Sequence, residues 1–252
     1  MPQSPFISQD GVVSASAFGG FTSISPGSWI EIYGSSLASD TRSWAGADFN
    51  GANAPTSLDG TTVSIGGKAA FIDYISPGQV NALVPSNTPI GPQQLTVTTT
   101  AGTSAAFSIT VNATEPGLLA PSSFTVNGTS YAVALFSDGT YVLPVGAVPG
   151  LVSRPAKPGE TIVLYGVGFG PVMPNIPAGE LVGQANTLAS SFQMSIGGIS
   201  AVAAYAGLAP SYTGLYQFNV TVPNVGTGDA VPLTFTLGGV AGTQTLYIAI
   251  GN

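Results

Sequence analysis

The stretch SPGSWIEIYGSSLA at residues 25–38 recurs later in the chain as KPGETIVLYGVGFG at residues 157–170. The two stretches share Pro-Gly, one Ile and Tyr-Gly at matching places. SIGG also occurs twice, at 64–67 and 195–198, with nearly the same offset. Because the order and the spacing of the matches are both kept, the chain is interpreted as a tandem duplication.

A third match extends the repeat towards the end of each copy. QVNALVP (79–85) corresponds to QFNVTVP (217–223), and LTVTTT (95–100) corresponds to LTFTLG (233–238). The offset grows by seven residues before these matches, so the second copy carries an insertion within AGLAPSYTGLY (206–216).

The repeated units have the pattern of short β-strands. In SWIEIYG, Trp29, Glu31 and Tyr33 point to one side and Ile30 and Ile32 to the other. Further β-rich runs follow, separated by Gly, Pro or Asn, and no segment has a sustained helical period. The sequence therefore predicts an all-β chain of two tandem immunoglobulin-like β-sandwich domains. A single large barrel or jelly roll is the alternative.

The boundary between the two units is expected where Pro and Gly interrupt the strand pattern, in NATEPGLLAPSS (112–123). This places the first sandwich at 1–115 and the second at 116–252. The matching tyrosines Tyr33 and Tyr165 are expected to be buried rings whose hydroxyls cap a loop backbone group. The alternative role for them is stacking on a ligand.

The charge of the chain excludes several partners. Charged residues make up 6% of the chain and the net charge is −7. The four basic residues, Arg42, Lys68, Arg154 and Lys157, are too scattered to form a phosphate-binding stripe. We therefore expect no nucleic-acid partner, and no attraction to anionic membrane surfaces.

Two missing residue types limit the chemistry. The chain has no Cys, which excludes disulfides and thiolate sites, and no His, which excludes Ser-His-Asp triads and His-based zinc sites. The eleven acids are scattered along the chain, and a carboxylate-dependent hydrolase would need two of them to face each other in a cleft. We predict no catalytic site, no cofactor and no enzymatic activity.

Calcium is the metal that oxygen ligands alone could hold. Asp40, Asp48 and Asp59 fall in the long polar loop at 38–60, but no Asp-rich calcium-loop motif is present. A solvated loop is the preferred interpretation, and no metal site is predicted.

Aromatic residues on loops supply the candidate binding surface. Trp44 and Phe49 lie in the loop at 38–60, while Tyr212 and Tyr216 lie at the insertion of the second copy. Exposed loop aromatics are natural groups for stacking on sugars or anchoring partners. The alternative is that they pack the small cores of their own loops.

The repeated motifs, taken in order, resemble a known family. The chain resembles the uncharacterised C-terminal domain family of Solibacter-type acidobacterial extracellular proteins, and the resemblance covers nearly its whole length. The resemblance implies repeats similar to the IPT/TIG immunoglobulin-like fold, a place at the C-terminus of large exported proteins, and no activity. The N-terminal partner domain that is usual in the family is absent from this chain. The motifs that carry the resemblance are GVVSASAF (11–18), SPGSWIEIYGSSLA (25–38), TTVSIGGKAAFIDYISPGQVNALVP (61–85), RPAKPGETIVLYGVGFG (154–170) and YAGLAPSYTGLYQFNVTVP (205–223).

Localisation is expected to be secreted or cell-surface. The composition, with little Lys, no Cys and abundant Thr, Ser and Gly, is typical of exported bacterial β-proteins. No apolar run reaches the ~20 residues that span a bilayer. The start of the sequence has no basic segment followed by an apolar one, so no signal peptide is predicted within it.

These features favour a non-catalytic structural or interaction module of a bacterial surface protein. Its expected partners are other protein subunits or a surface glycan, and it is expected to self-assemble as a homo-oligomer or filament, or to act in adhesion. The apolar run GVVSASAFGGF (11–21) is suited to pair with a neighbouring subunit's sheet edge as readily as with its own. The alternative function is a carbohydrate-binding module that uses the loop aromatics.

Overall fold

A computed structural model describes residues 3–16 and 21–252, and this part of the chain is all-β, with strands and no α-helix. The strands up to residue 111 are β1 (Phe6–Ser14), β2 (Trp29–Ser35), β3 (Arg42–Ser43), β4 (Thr62–Ile65), β5 (Lys68–Ala69), β6 (Phe71–Ile75), β7 (Gln79–Leu83), β8 (Gly91–Thr99), β9 (Gly102–Thr103) and β10 (Phe107–Val111). The strands beyond it are β11 (Gly117–Leu118), β12 (Thr125–Val126), β13 (Thr129–Ser130), β14 (Ala134–Leu135), β15 (Tyr141–Val142), β16 (Ser153–Arg154), β17 (Thr161–Val167), β18 (Val172–Met173), β19 (Thr187–Leu188), β20 (Phe192–Ile196), β21 (Ile199–Leu208), β22 (Tyr216–Thr221), β23 (Gly228–Leu237), β24 (Val240–Ala241) and β25 (Leu246–Ile250). Short 3-10 helices span Gly46–Asp48 and Ser122–Phe124.

Each sheet draws its strands from one side of residue 115. Up to that residue, one sheet has the order β1-β2-β7-β6-β3 and another has the order β10-β8-β4-β5, with β9 beside β8. Beyond it, the main sheet runs β16-β15-β14-β17-β22-β21-β20-β23-β24. The ten-residue strand β21 joins its two parts, because it pairs with β22 near one end and with β20 near the other.

The main-chain pairing repeats at the positions that the sequence motifs match. Ile30 of β2 lies opposite Ala82 of β7, and the corresponding Ile162 of β17 lies opposite Val220 of β22. Both copies also have a register shift at the same place, one before Tyr74 in β6 and the other before its counterpart in β21. The two copies therefore share one strand arrangement, down to a single irregular residue.

Two large cores, and a small cluster around Phe124, Tyr131 and Leu143, follow from this arrangement. Residues between 7 and 111 build one core, mainly from Ile, Val and Leu, and we call the residues around it the N-lobe. Residues between 118 and 250 build the other, and we call the residues around it the C-lobe. The C-lobe core is richer in aromatic rings, with Phe169 at its centre in contact with Phe192, Phe218 and Phe235.

The SIGG motif makes the same turn in both lobes. Gly66 and Gly67 join β4 to β5, and Gly197 and Gly198 join β20 to β21. All four have positive φ, between 58° and 79°, which favours glycine and suits a two-residue hairpin. The repeated glycines are thus a requirement of the backbone.

The N-terminal run pairs within its own chain. Val12 and Val13 of β1 lie opposite residues 32 and 31 of β2. This gives the run a partner strand in the same molecule, whereas residues 17–20 of the predicted pairing segment fall outside the described part. No helix of the described residues is long and apolar enough to cross a membrane.

Candidate functional site

A cleft of about 700 Å³ lies between the two lobes, and we call it the interlobe cleft. The N-lobe contributes residues of β2, β6 and β7 and of the loop after β3, and the C-lobe contributes the insertion before β22. The lining that matters for its chemistry consists of Trp29, Glu31, Trp44, Phe49, Asp73 and Tyr212.

The polar part of the cleft is built on three adjacent strands. Glu31 of β2 lies opposite Asn81 of the central strand β7, and Asp73 belongs to β6 on the other side of β7. Asp73 sits at the register shift of β6, where regular alternation is broken. As a result Ile72 and Ile75 both enter the core, and Asp73 lines the cleft.

Both acids are largely removed from water. Glu31 is 6% exposed, and the Tyr33 hydroxyl donates a hydrogen bond of 2.6 Å to its Oε2. Burial raises the pKa of Glu31, and the bond from Tyr33 opposes that rise. Burial raises the pKa of Asp73 to about 6, a hydrogen bond with the Asn81 side chain opposes that rise, and the charge of Glu31 adds to it. The Oδ1 atom of Asp73 is buried and has no hydrogen-bond partner among the described residues.

The apolar part of the cleft is a chain of aromatic rings. The rings of Trp29 and Trp44 meet edge to face with centroids 5.6 Å apart, and those of Trp44 and Phe49 lie 4.8 Å apart. Tyr212, on the C-lobe side, is 57% exposed. The cleft therefore combines aromatic surface with one buried and one partly buried carboxyl group, a combination that suits ligands with both apolar faces and polar substituents.

The loop that carries Trp44 and Phe49 is held by one arginine. Arg42 makes a bidentate contact with Asp48, at 2.8 and 3.0 Å, and another with Asp59, at 2.5 and 3.0 Å. These ion pairs lower the pKa of both carboxyls, through hydrogen bonds from Arg42. Asp48 and Asp59, two of the three candidate calcium ligands, thus have a protein cation as their partner. No group of three potential ligands that could hold a metal occurs within the described residues.

Direct contacts between the lobes fix the shape of the cleft. The indole N–H of Trp29 donates to the carbonyl of Thr213 at 2.8 Å, and the N–H of Leu181 donates to the carbonyl of Ala52 at 2.8 Å. The neighbouring Gly214 has φ +65°, and a Cβ there would come within 2.4 Å of a Leu83 methyl group. The insertion of the second copy is therefore what docks the C-lobe beside Trp29.

The structure brings three of the four predicted aromatic residues together. Trp44, Phe49 and Tyr212 line the interlobe cleft, although the first two also pack on each other. Tyr216 does not belong to this surface: it is 3% exposed and its hydroxyl donates to the carbonyl of Gly170. Its strand alternates regularly, and Tyr216 shares the buried side of β22 with Phe218 and Val220.

Tyr33 differs from its predicted role. It is 38% exposed, and its hydroxyl is bonded to the Glu31 carboxylate in place of a loop backbone group. The alternation predicted for its strand is confirmed, since Ile30 and Ile32 are fully buried and Trp29 and Glu31 line the cleft.

The pairing of Glu31 with Asp73 is not predicted from the sequence. The signal that identifies them is the comparison of the two copies. Val163 of β17 occupies the place of Glu31, and Ala204, at the register shift of β21, occupies the place of Asp73. The strand arrangement is the same with apolar residues there, so the fold does not require the acids.

No protein-family model matches the chain, and no curated protein matches it. Among solved structures it is similar to SGBP-B of the Bacteroides ovatus mixed-linkage glucan utilization locus, in complex with a mixed-linkage heptasaccharide, with 12% identity and a TM-score of 0.41 over 98% of this chain and 46% of that one. It is also similar to SGBP-B from a Bacteroides uniformis xyloglucan utilization locus, with 10% identity and a TM-score of 0.28 over 98% of this chain and 50% of that one. A third is the gamma-CGTase of alkalophilic Bacillus clarkii, with 17% identity and a TM-score of 0.31 over 99% of this chain and 25% of that one. The chain thus spans half or less of the length of these proteins.

Proposed function

We propose that the chain is a non-catalytic glycan-binding module of a secreted or cell-surface protein, and that the interlobe cleft is its binding site. The observation that carries the proposal is the meeting of Trp44, Phe49 and Tyr212 with Glu31 and Asp73 in one cleft of about 700 Å³. The volume lies in the range of ligand pockets, which are mostly apolar and carry a few placed polar groups.

Sugars match this combination of surfaces. The C–H face of a pyranose ring is apolar and stacks on aromatic side chains, while its hydroxyls donate hydrogen bonds to carboxylates. The cross-lobe bonds of Trp29 and Leu181 hold the two sides of the cleft together before a ligand arrives. A preformed site loses less conformational entropy on binding, which favours affinity.

Tryptophan fluorescence provides a direct binding assay. The chain has two tryptophans, Trp29 and Trp44, and both line the cleft. We expect a soluble polysaccharide or oligosaccharide from a glycan array to change the emission in a saturable way. Tyr212→Ala should weaken binding about tenfold, equivalent to ~1.4 kcal/mol.

The control is an aromatic residue of similar exposure outside the cleft. Phe6 is 59% exposed on β1, and Phe6→Ala should leave the affinity unchanged. If no member of a broad glycan array binds, the proposal fails. Equal losses from Tyr212→Ala and Phe6→Ala would also count against the cleft as the site.

The carboxyl pair supports a second candidate, a glycoside hydrolase. Such enzymes place two carboxyl groups on either side of the scissile bond, and Glu31 and Asp73 share one cleft. The non-catalytic proposal expects the bound oligosaccharide to be recovered intact after prolonged incubation, as judged by mass spectrometry. Release of shorter products that stops in Glu31→Gln would favour the hydrolase.

The proposal extends to the architecture. The two lobes are taken as tandem immunoglobulin-like sandwiches at 1–115 and 116–252, of the kind that the Solibacter-type family implies. Matching strand registers in the two copies support a common unit. Self-assembly into an oligomer or filament remains a prediction, which sedimentation at high concentration would test.

A further inference from the structure

The charge of the interlobe cleft suggests which glycans it selects, an inference that rests on the proposed function. Glu31 is 6% exposed, and its side-chain hydrogen-bond partner is the neutral hydroxyl of Tyr33. Asp73 presents a buried carboxylate oxygen without a partner among the described residues. Buried carboxyl groups are normally paired with a cation or strongly hydrogen-bonded, since burying an unpaired charge is costly.

Within residues 3–16 and 21–252, no basic side chain lies beside this pair. Arg42 is engaged by Asp48 and Asp59, and Arg154 is engaged by Glu160. The remaining basic residues are two lysines, at positions 68 and 157, and within the described part of the chain none of the four basic residues lines the cleft. An ammonium group on a ligand would supply the positive charge that the basic side chains of the described residues do not supply.

Comparison with the C-lobe shows that the fold does not require the two acids. Val163 and Ala204 stand at the equivalent places of the C-lobe, on the same strands and in the same register. The neighbouring amide pair is unchanged, because Gln79 donates to Asn81 at 2.7 Å and Gln217 donates to Asn219 at 2.8 Å. The C-lobe thus keeps the amide pair and lacks the two carboxyl groups. This difference points to a role for the carboxyl groups in ligand binding by the cleft.

The aromatic lining favours the same kind of ligand. Ammonium groups are attracted to the faces of Trp and Tyr rings, and the attraction is strongest where water is excluded. Trp29, Trp44 and Tyr212 border the same cleft as Glu31 and Asp73. Rings and carboxyl groups therefore both favour a positively charged, partly apolar group.

We infer that the interlobe cleft binds glycans that carry a free amino group, with the sugar ring on the aromatic residues and the ammonium beside Glu31 and Asp73. A glucosamine oligomer is a ligand of this class. Its N-acetylated form and a neutral glucose oligomer have the same ring shape without the charge, so they separate recognition of the amine from recognition of the sugar.

The test is a fluorescence or calorimetric titration of the full chain with glucosamine hexamer, N-acetylglucosamine hexamer and cellohexaose. We expect the glucosamine hexamer to bind at least tenfold more tightly than the other two. Glu31→Gln and Asp73→Asn keep the side-chain shape and remove the charge, so each should lose about tenfold for the glucosamine hexamer. The loss should be clearly smaller for the two neutral hexamers, because the amide oxygens of Gln and Asn still accept hydrogen bonds from sugar hydroxyls. Thermal unfolding monitored by circular dichroism would confirm that both variants are folded.

A control for the overall charge is needed because the chain carries a net charge of −7. Asp229 is exposed and lies outside the cleft, so Asp229→Asn removes one charge without touching the site. Equal losses in Asp229→Asn and Glu31→Gln would overturn the inference, since non-specific attraction would then explain the binding.

The other outcomes separate the inference from the proposed function. If all three hexamers bind equally, the glycan-binding function stands and selection of the amine is wrong. If none binds, the inference fails, and the glycan array then decides the proposed function separately. If hexalysine binds as tightly as the glucosamine hexamer and shows the same loss in Glu31→Gln, the cleft recognises amines on peptides and the glycan inference is overturned.

Discussion

The two lobes share one strand arrangement and differ in what they present on it. In the N-lobe the strands β2 and β6 carry Glu31 and Asp73 into the cleft, and in the C-lobe their counterparts β17 and β21 carry Val163 and Ala204. The paired registers around these positions are the same. The difference teaches that the backbone fixes where a side chain lies, while the residue type at that position is free to vary.

The cores differ in a complementary way. Leu37 and Phe169 occupy the same place after the repeated Tyr-Gly, and both are fully buried. The residue before each has positive φ, Ser36 at 54° and Gly168 at 78°, so the chain turns inward identically. The N-lobe fills the space with an aliphatic side chain, and the C-lobe builds an aromatic cluster around Phe169.

The largest effect is expected from removing the centre of that cluster. Phe169→Ala would leave a cavity among four aromatic rings and should lower the free energy of unfolding by about 4 kcal/mol. Leu37→Ala should lower it by about 3 kcal/mol, because a smaller side chain is lost. Urea denaturation measures both, and a larger loss in Leu37→Ala would contradict the central role of Phe169.

The acids of the N-lobe should make stability depend on pH. The pKa of Asp73 is raised from 3.8 to about 6, so the folded state binds the proton more tightly than the unfolded state. The stabilising effect of the proton is fully present below pH 4 and is lost as the pH rises through 6. The total change is up to about 3 kcal/mol, at 1.36 kcal/mol per unit.

The variant Asp73→Asn isolates this contribution. The paired acids Asp48, Asp59 and Glu160 have lowered pKa values and act in the opposite direction, so the total pH profile mixes both signs. The difference between the wild type and Asp73→Asn removes them, and it should favour the variant increasingly between pH 4 and pH 7. A difference that stays constant over this range would show that Asp73 titrates normally.

A smaller effect is expected at the insertion that only the second copy has. Gly214→Ala forces a non-glycine residue to φ +65° and brings its Cβ against Leu83, so it should cost about 2 kcal/mol. Gly198→Ala is the matched control, because Gly198 has φ +79° with nothing within 4 Å of a Cβ. It should cost about 1 kcal/mol, from the backbone alone. Thermal unfolding measures both, and equal costs would mean that the insertion does not press on the N-lobe.

The sequence predicts the strands because the repeat and the alternation are local patterns. The aromatic residues of the two loops can also be read from the sequence, and the structure places Trp44, Phe49 and Tyr212 in the lining of one cleft. The sequence does not predict that Asp73 lines the same cleft as Glu31. The side of a strand on which a residue lies is inferred from regular alternation, and an extra residue in β6 breaks that alternation. The cleft itself depends on how the two lobes pack against each other. Contacts between distant residues, such as the hydrogen bond from Trp29 to Thr213, determine that packing, and local sequence patterns do not predict them.

The smallest effect compares the repeated tyrosines. Tyr33 donates to Glu31 at 2.6 Å. Burial and the neighbouring Tyr212 raise the pKa of Tyr165, and its hydroxyl makes no hydrogen bond within the described part of the chain. Tyr33→Phe should therefore lower the free energy of unfolding by about 1 kcal/mol, and Tyr165→Phe by less than about 0.5 kcal/mol. Urea denaturation at pH 7.5 measures both. In a Glu31→Gln background the cost of Tyr33→Phe should shrink, because the bond to a charged acceptor is already gone. An undiminished cost there would mean that the Tyr33 hydroxyl stabilises the N-lobe through some group other than the cleft carboxylate.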